Sequence, residues 1–176
     1  FAPDRIETCT PELLSRTAAA SRELGVPTRL HCCQSAYEFG TVWKLRGQTP
    51  LGWLEQLDLL GPHTILPHGI YLSGHPHVAV SGDQDWRRLV ASGATIAHCP
   101  AVFARSGVAL DSFGRYRAAG INIGLGTDTW PADLLHNMQL GLYMARIMEG
   151  SDSQTSVADL YNAATLGGAR ALGRDD

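Results

Sequence analysis

Four times along this chain a short apolar run ends on a histidine or an aspartate and gives way to a helical pattern. The points are Arg29-Leu30-His31, Leu66-Pro67-His68-Gly69, Ile96-Ala97-His98-Cys99-Pro100 and Gly124-Leu125-Gly126-Thr127-Asp128-Thr129. Short apolar strands separated by helices imply a parallel sheet, since only parallel pairing needs so long a crossover. One polar side chain at the C-terminal tip of successive strands is how a parallel α/β barrel presents chemistry. Three histidines and one aspartate at such tips read as a metal-ligand set.

The punctuation between strands fits this reading. Residues 1–9 read as a loop. Thr10 caps a helix with Pro11 in its first turn, and Gly25 ends it. A strand over 26–33 carries His31 near its tip. One helix begins near Tyr37, and Thr49-Pro50 opens another with Leu51, Leu54 and Leu57 on one face. The strand over 63–67 ends at His68. A helix capped by Asp83 is expected to turn Trp86, Leu89 and Val90 inward. The strand over 94–97 leads to His98, and a loop through Arg105-Ser106-Gly107 reaches a short helix over 112–119. After the strand over 121–125, Pro131 starts a longer helix with Leu134, Leu135, Met138, Leu142 and Ala145 as its core stripe. The last helix spans about 156–172, and Ser156 and Asp159 have capping-box spacing.

The 176 residues suffice for one core, and the net charge of -3 leaves no footprint for nucleic acid or an anionic membrane. No apolar run approaches the ~20 residues of a membrane span, and no basic-then-apolar leader opens the sequence. The four cysteines, Cys9, Cys32, Cys33 and Cys99, show no CxxC spacing. Reduced thiols in a cytoplasmic setting are expected.

With these motifs in place the chain resembles the second half of the amidohydrolase superfamily barrel, in the branch of cytosine and guanine deaminases and s-triazine hydrolases. His31 matches that family's strand-5 histidine, His68 its strand-6 histidine and Asp128 its strand-8 aspartate. His98-Cys99-Pro100 resembles its strand-7 segment. Ala164-Thr165 through Ala169-Arg170-Ala171-Leu172-Gly173 resembles its last barrel helix. The resemblance implies a partial (β/α)8 barrel, strands 5 to 8 with their helices, over residues 1–176. The strand-1 half and a flanking β domain are then absent.

It also implies a divalent metal, zinc first and iron second, held by His31, Asp128 and His68. Such a metal lowers the pKa of bound water to ~7, and a carboxylate beside it takes the proton. Asp128 and His68 are thus the implied catalytic residues, with Asp128 passing the proton to the leaving group. His98, Gln34 and Trp130 are the implied substrate contacts. The implied partner is a small heterocyclic substrate.

Two positions depart from the family pattern. Its His-x-His metal pair belongs to strand 1, whereas His75 and His77 follow the second strand here, so they inherit no role and read as a solvated loop. Deaminases of this branch carry a Glu where Gln34 stands, with Glu38 further on. A Gln hydrogen-bonds a ring but does not titrate, which leaves dechlorination or amide hydrolysis open beside deamination. His63 reads as surface and His136 as surface or as support for the site. Cys32 and Cys33 read as small strand residues, and Trp130 lines the pocket mouth or packs the next helix. Gly124 and Gly126 serve close packing.

The reading is metal-dependent hydrolysis of a C–N or C–halogen bond in an amino- or halo-substituted heterocycle. Its alternative is a catalytically incomplete barrel piece, needing its missing half or a homo-oligomer to cover strand edges and the apolar inner face.

Overall fold

Helix α1 (Pro11–Leu24) starts where Thr10 Oγ1 accepts the N–H of Leu13 (3.2 Å) and stops at left-handed Gly25. The same device recurs. Ser35 caps α2 (Ala36–Arg46), Thr49 caps α3 (Pro50–Gln56), Ser112 caps α6 (Phe113–Ala118) and Ser156 caps α8 (Val157–Asn162), each through its hydroxyl. The computed structural model describes residues 1–174. They fall into two units, Phe1–Thr95 and the described residues from Ile96 onward.

The first unit holds β1 (Thr28–Arg29) and β2 (Thr64–Pro67), paired in parallel. Leu14, Leu30, Phe39, Leu51, Leu54, Leu66 and Leu89 are buried in it. The segment over residues 1–9 is the expected loop, and it runs beside β1. Arg29 donates its N–H to the Phe1 carbonyl (2.9 Å), and Ile6 donates to the His31 carbonyl (3.2 Å). Arg5 and His31 form a parallel bridge.

Helix α4 (Gln84–Ser92) corrects its expected inward face. Leu89 is buried, but Val90 points outward, Trp86 is half-buried, and Asp85 is fully buried. Asp85 accepts from the Thr49 hydroxyl (2.5 Å) and from the Ser73 N–H (3.0 Å), so it ties α3 to the loop after β2. A buried carboxylate is tolerated only with such partners. Asp83 is the N-cap residue but spends its carboxylate on Arg87 (2.7 Å) rather than on a backbone N–H.

In the second unit, Ile96–His98 of β3 (Thr95–His98) pair in parallel with β4 (Ile123–Leu125). A short helix not foreseen, α5 (Pro100–Ala104), follows β3 directly. Helix α7 (Leu134–Glu149) begins after Asp133, not at Pro131, because Asp133 accepts the His136 N–H (2.9 Å). Its expected apolar stripe holds only in part. Leu142 and Ala145 are buried, but Leu135 is 75% exposed. Asn137 and Gly141 take the buried face. Asn137 Oδ1 accepts the Ala101 N–H (3.1 Å), and a side chain at Gly141 would press on Pro100.

The chain's last helix is continuous but widens into a π turn, Ala163–Gly167, between α8 and α9 (Gly168–Ala171). There Asn122 Nδ2 donates to the Gly167 carbonyl (2.9 Å), and a Cβ on Gly167 would collide with the carbonyl oxygen of Ile123 in β4. Gly167→Ala is therefore expected to destabilise the fold by about 1–3 kcal/mol through overpacking. Gly168→Ala meets nothing within 4 Å and is expected to stabilise by about 0.5–1 kcal/mol through helix propensity. Urea midpoints of the two variants check the opposite signs.

Candidate metal centre

In the first unit, His31 stands just past β1 and His68 just past β2. The His31 Nδ1 lies 2.7 Å from the Asp4 carbonyl oxygen. A carbonyl only accepts, so Nδ1 carries the proton and Nε2 keeps the lone pair a metal needs. The His31 and His68 rings stack with centroids 5.5 Å apart. Two imidazoles bound to one zinc at ~2.0–2.1 Å place their centroids about 5 Å apart, a separation close to that seen here. His68 is 2% exposed and takes φ 81°. A non-glycine residue there is uncommon, and such conformations cluster at functional sites.

Between His31 and α2, Cys33 also has a positive φ, 59°. Glu38, in the first turn of α2, holds that turn in place. Its Oε1 accepts the Cys33 N–H (2.5 Å) and its Oε2 the Gln34 N–H (3.2 Å). Burial pushes the Glu38 carboxyl up to about 8, against the opposing pull of those two N–H donors. Burial likewise raises the Cys32 thiol to about 11 and the Cys33 thiol well above its ordinary value. Burial thus favours the protonated form of both thiols, as expected of small buried residues. The Ser35-x-x-Glu38 spacing is a sequence signal that could have found Glu38, although its carboxylate bypasses the cap and serves the turn before it.

In the second unit, Asp128 is solvent-exposed just past β4 and also takes a left-handed φ, 60°. Its turn is tied to the tip of β3 by the Gly126 N–H, which donates to the His98 carbonyl (2.9 Å). A side chain at Gly126 would meet Cys99 Sγ at 3.1 Å, which accounts for glycine here as close packing. Burial, with the Asp128 charge adding to it, pushes the Cys99 thiol up to about 12. The His98 ring is buried at 5.9 Å from Phe113. Trp130 is 82% exposed, so it does not pack the following helix. Arg105 Nη2 donates to the Trp130 carbonyl (2.6 Å) and links the loop after β3 to the loop after β4.

The remaining histidines fall elsewhere along the chain. His63 and His136 are exposed. His75 and His77 occupy the loop after β2 with rings 5.5 Å apart, and His75 leans on Tyr71 at 4.4 Å.

The family model for the amidohydrolase family matches residues 1–176, the whole chain. A 5-methylthioadenosine/S-adenosylhomocysteine deaminase of Pyrococcus abyssi is 31% identical over 98% of the chain and 40% of that protein. A 5'-deoxyadenosine deaminase of Methanothermobacter thermautotrophicus is 26% identical over 96% of the chain and 38% of its own length. Among solved structures, an adenosine deaminase from Xanthomonas campestris with bound zinc superposes with TM-score 0.89. It is 25% identical and aligns with 100% of this chain and 39% of its own. An atrazine chlorohydrolase from Arthrobacter aurescens complexed with zinc gives 0.84 at 25% identity, over 99% of this chain and 38% of its own. The chain thus spans about two fifths of the curated relatives it matches, and its parallel strands with flanking helices fit a partial barrel. Motifs, strand pairing and comparisons agree on one assignment: this chain belongs to the amidohydrolase family.

Proposed function

We infer that the chain is part of a metal-dependent hydrolase that acts on a C–N or C–halogen bond of an amino- or halo-substituted heterocycle. The observation that carries this reading is the His31–His68 pair. Two imidazoles stack at neighbouring strand tips, one of them with its metal-facing nitrogen selected by the Asp4 carbonyl. The names of the relatives, a 5-methylthioadenosine/S-adenosylhomocysteine deaminase, an adenosine deaminase and an atrazine chlorohydrolase, support the substrate class.

His31, His68 and Asp128 are the proposed ligands, with zinc the first choice and iron the second. When bound, the metal supplies Lewis acidity that lowers the pKa of water. The chain's own residues do the rest. Asp128 accepts the proton of the attacking water and delivers it to a leaving nitrogen; where the leaving group is a halide, it departs as the anion and the proton passes to solvent. His68 orients the nucleophile against the substrate. Gln34, His98 and Trp130 contact the heterocycle, with Gln34 hydrogen-bonding a ring heteroatom.

The chain corresponds to the C-terminal half of the barrel, over residues 1–176, and the strand-1 half and flanking β domain lie outside it. Coverage of 38–40% of the relatives also supports the second reading, a piece whose activity requires its missing half. No helix among the described residues is long and apolar enough to cross a membrane. The four free cysteines accord with a reducing, cytoplasmic compartment.

The test is turnover of a panel of amino- and chloro-heterocycles by the complete enzyme, before and after chelation and zinc re-addition. Loss on chelation and recovery with zinc are expected, and turnover indifferent to chelator would overturn the reading. On the same panel, Gln34→Ala is expected to raise KM while leaving the pH–rate profile in place. A pKa that vanishes from the profile would instead make Gln34 part of a proton-transfer step.

A further inference from the structure

The cluster beside His31 contains donors that the proposed hydrolytic site does not use. Cys32, Cys33 and Glu38 are buried, and their sulfur and carboxylate atoms all lie within 4.8 Å of one another. The two sulfurs are 3.6 Å apart. An ion bound at the usual zinc–sulfur distance of ~2.3 Å to both would see them at an angle of about 100°, close to tetrahedral. The Cys33 left-handed backbone is what brings two adjacent residues' thiols to one side, and Glu38 pins that backbone through its N–H. Each Glu38 oxygen accepts one backbone N–H, and a carboxylate oxygen has a second lone pair to offer.

We propose that Cys32, Cys33 and Glu38 form a second cation site, selective for a thiophilic closed-shell ion such as zinc, separate from the ligand set of His31, His68 and Asp128. The surrounding field favours it. Glu7 Oε2 is buried without a hydrogen-bond partner, and its charge acts on both Cys32 and Glu38. Asp85 acts on both thiols as well. Hard ions are excluded, since calcium and magnesium require six or more oxygens, whereas thiolate ligands select soft and borderline metals. On binding, each S–H bond breaks as a metal–sulfur bond forms, and the two protons leave to solvent. No oxidant or reductant takes part. Because the donors are buried, the ion enters during folding or through local opening.

Cadmium is the probe, because its bonds to thiolate give an ultraviolet charge-transfer band that oxygen and nitrogen ligands do not. The full chain is produced under reducing conditions, refolded with one equivalent of Cd²⁺, and desalted. One cadmium is expected to remain, with a band of two-thiolate intensity. Cys33→Ser is expected to halve the band and Cys32→Ser/Cys33→Ser to abolish it. His31→Asn and Cys9→Ser/Cys99→Ser are expected to leave it unchanged, which separates this site from the hydrolytic one. X-ray absorption at the cadmium edge of the unmodified chain needs no variant, and two sulfur neighbours with oxygen are expected. A wild-type chain without the band, a band that survives loss of both cysteines, or a coordination shell of nitrogen and oxygen alone would each overturn the proposal.

Discussion

Replacing Asp128 by Asn in the complete enzyme is expected to lower kcat/KM by about 10²–10⁴-fold, the range for removing a general base. The substitution keeps the shape and the left-handed backbone, which Asn tolerates as readily as Asp. What it removes is the carboxylate that accepts and returns the proton. Zinc content is the necessary companion measurement. If the variant retains its metal and loses turnover, the loss belongs to proton transfer. If it loses metal as well, Asp128 acts first as a ligand. Near-native turnover with full metal content would remove Asp128 from the mechanism.

The second large effect is on stability, and it belongs to Glu38. Its carboxyl is raised from 4.5 to about 8 in the folded chain by burial. The folded state therefore holds this proton more tightly than the unfolded state. Between those two values the unfolded chain binds fewer protons than the folded one, so stability falls as pH rises, by up to about 1.4 kcal/mol per pH unit. The contribution is fully present below the unfolded value and levels off above the folded one, for a total of a few kcal/mol. Glu38→Gln keeps an acceptor for one of the two N–H groups and has no proton to lose. Its urea midpoint, measured on chelated protein, is expected to lose this downward slope. Parallel pH profiles for the wild type and the variant would show that Glu38 does not titrate in this window.

The helices were legible because their ends carry chemistry in single residues. Thr10-Pro11, Ser35, Thr49-Pro50, Ser112 and Ser156 open them, and Gly25, Gly47, Gly93 and Gly150 close them. The strand tips were legible because a polar residue after an apolar run has few other reasons to be there. Backbone pairing of residues 1–9 with β1 was not, since N–H and C=O groups are the same in every residue. Asp85 was hidden for a different reason. Its burial depends on Thr49 and Ser73, distant in sequence, and pattern alone assigned the inward position to Val90. Leu135 faces outward because Asn137 and Gly141, a polar residue and a glycine, take up the contact with α5. The Glu38 spacing was visible, but the carboxylate's actual partners follow from the unusual turn at Cys33.

The Asp4 carbonyl has a consequence for where this protein tolerates being cut. It accepts from His31 twice, at the main-chain N–H (3.3 Å) and at Nδ1 (2.7 Å). A version trimmed past Asp4 would leave the imidazole free to exchange its two neutral tautomers, and in one of them the Nε2 lone pair is taken up by the proton. Nitrogen-15 chemical shifts of the His31 ring report that exchange directly, without any assay of turnover. One carbonyl at the edge of a strand thus decides the position of a proton on a side chain twenty-seven positions away.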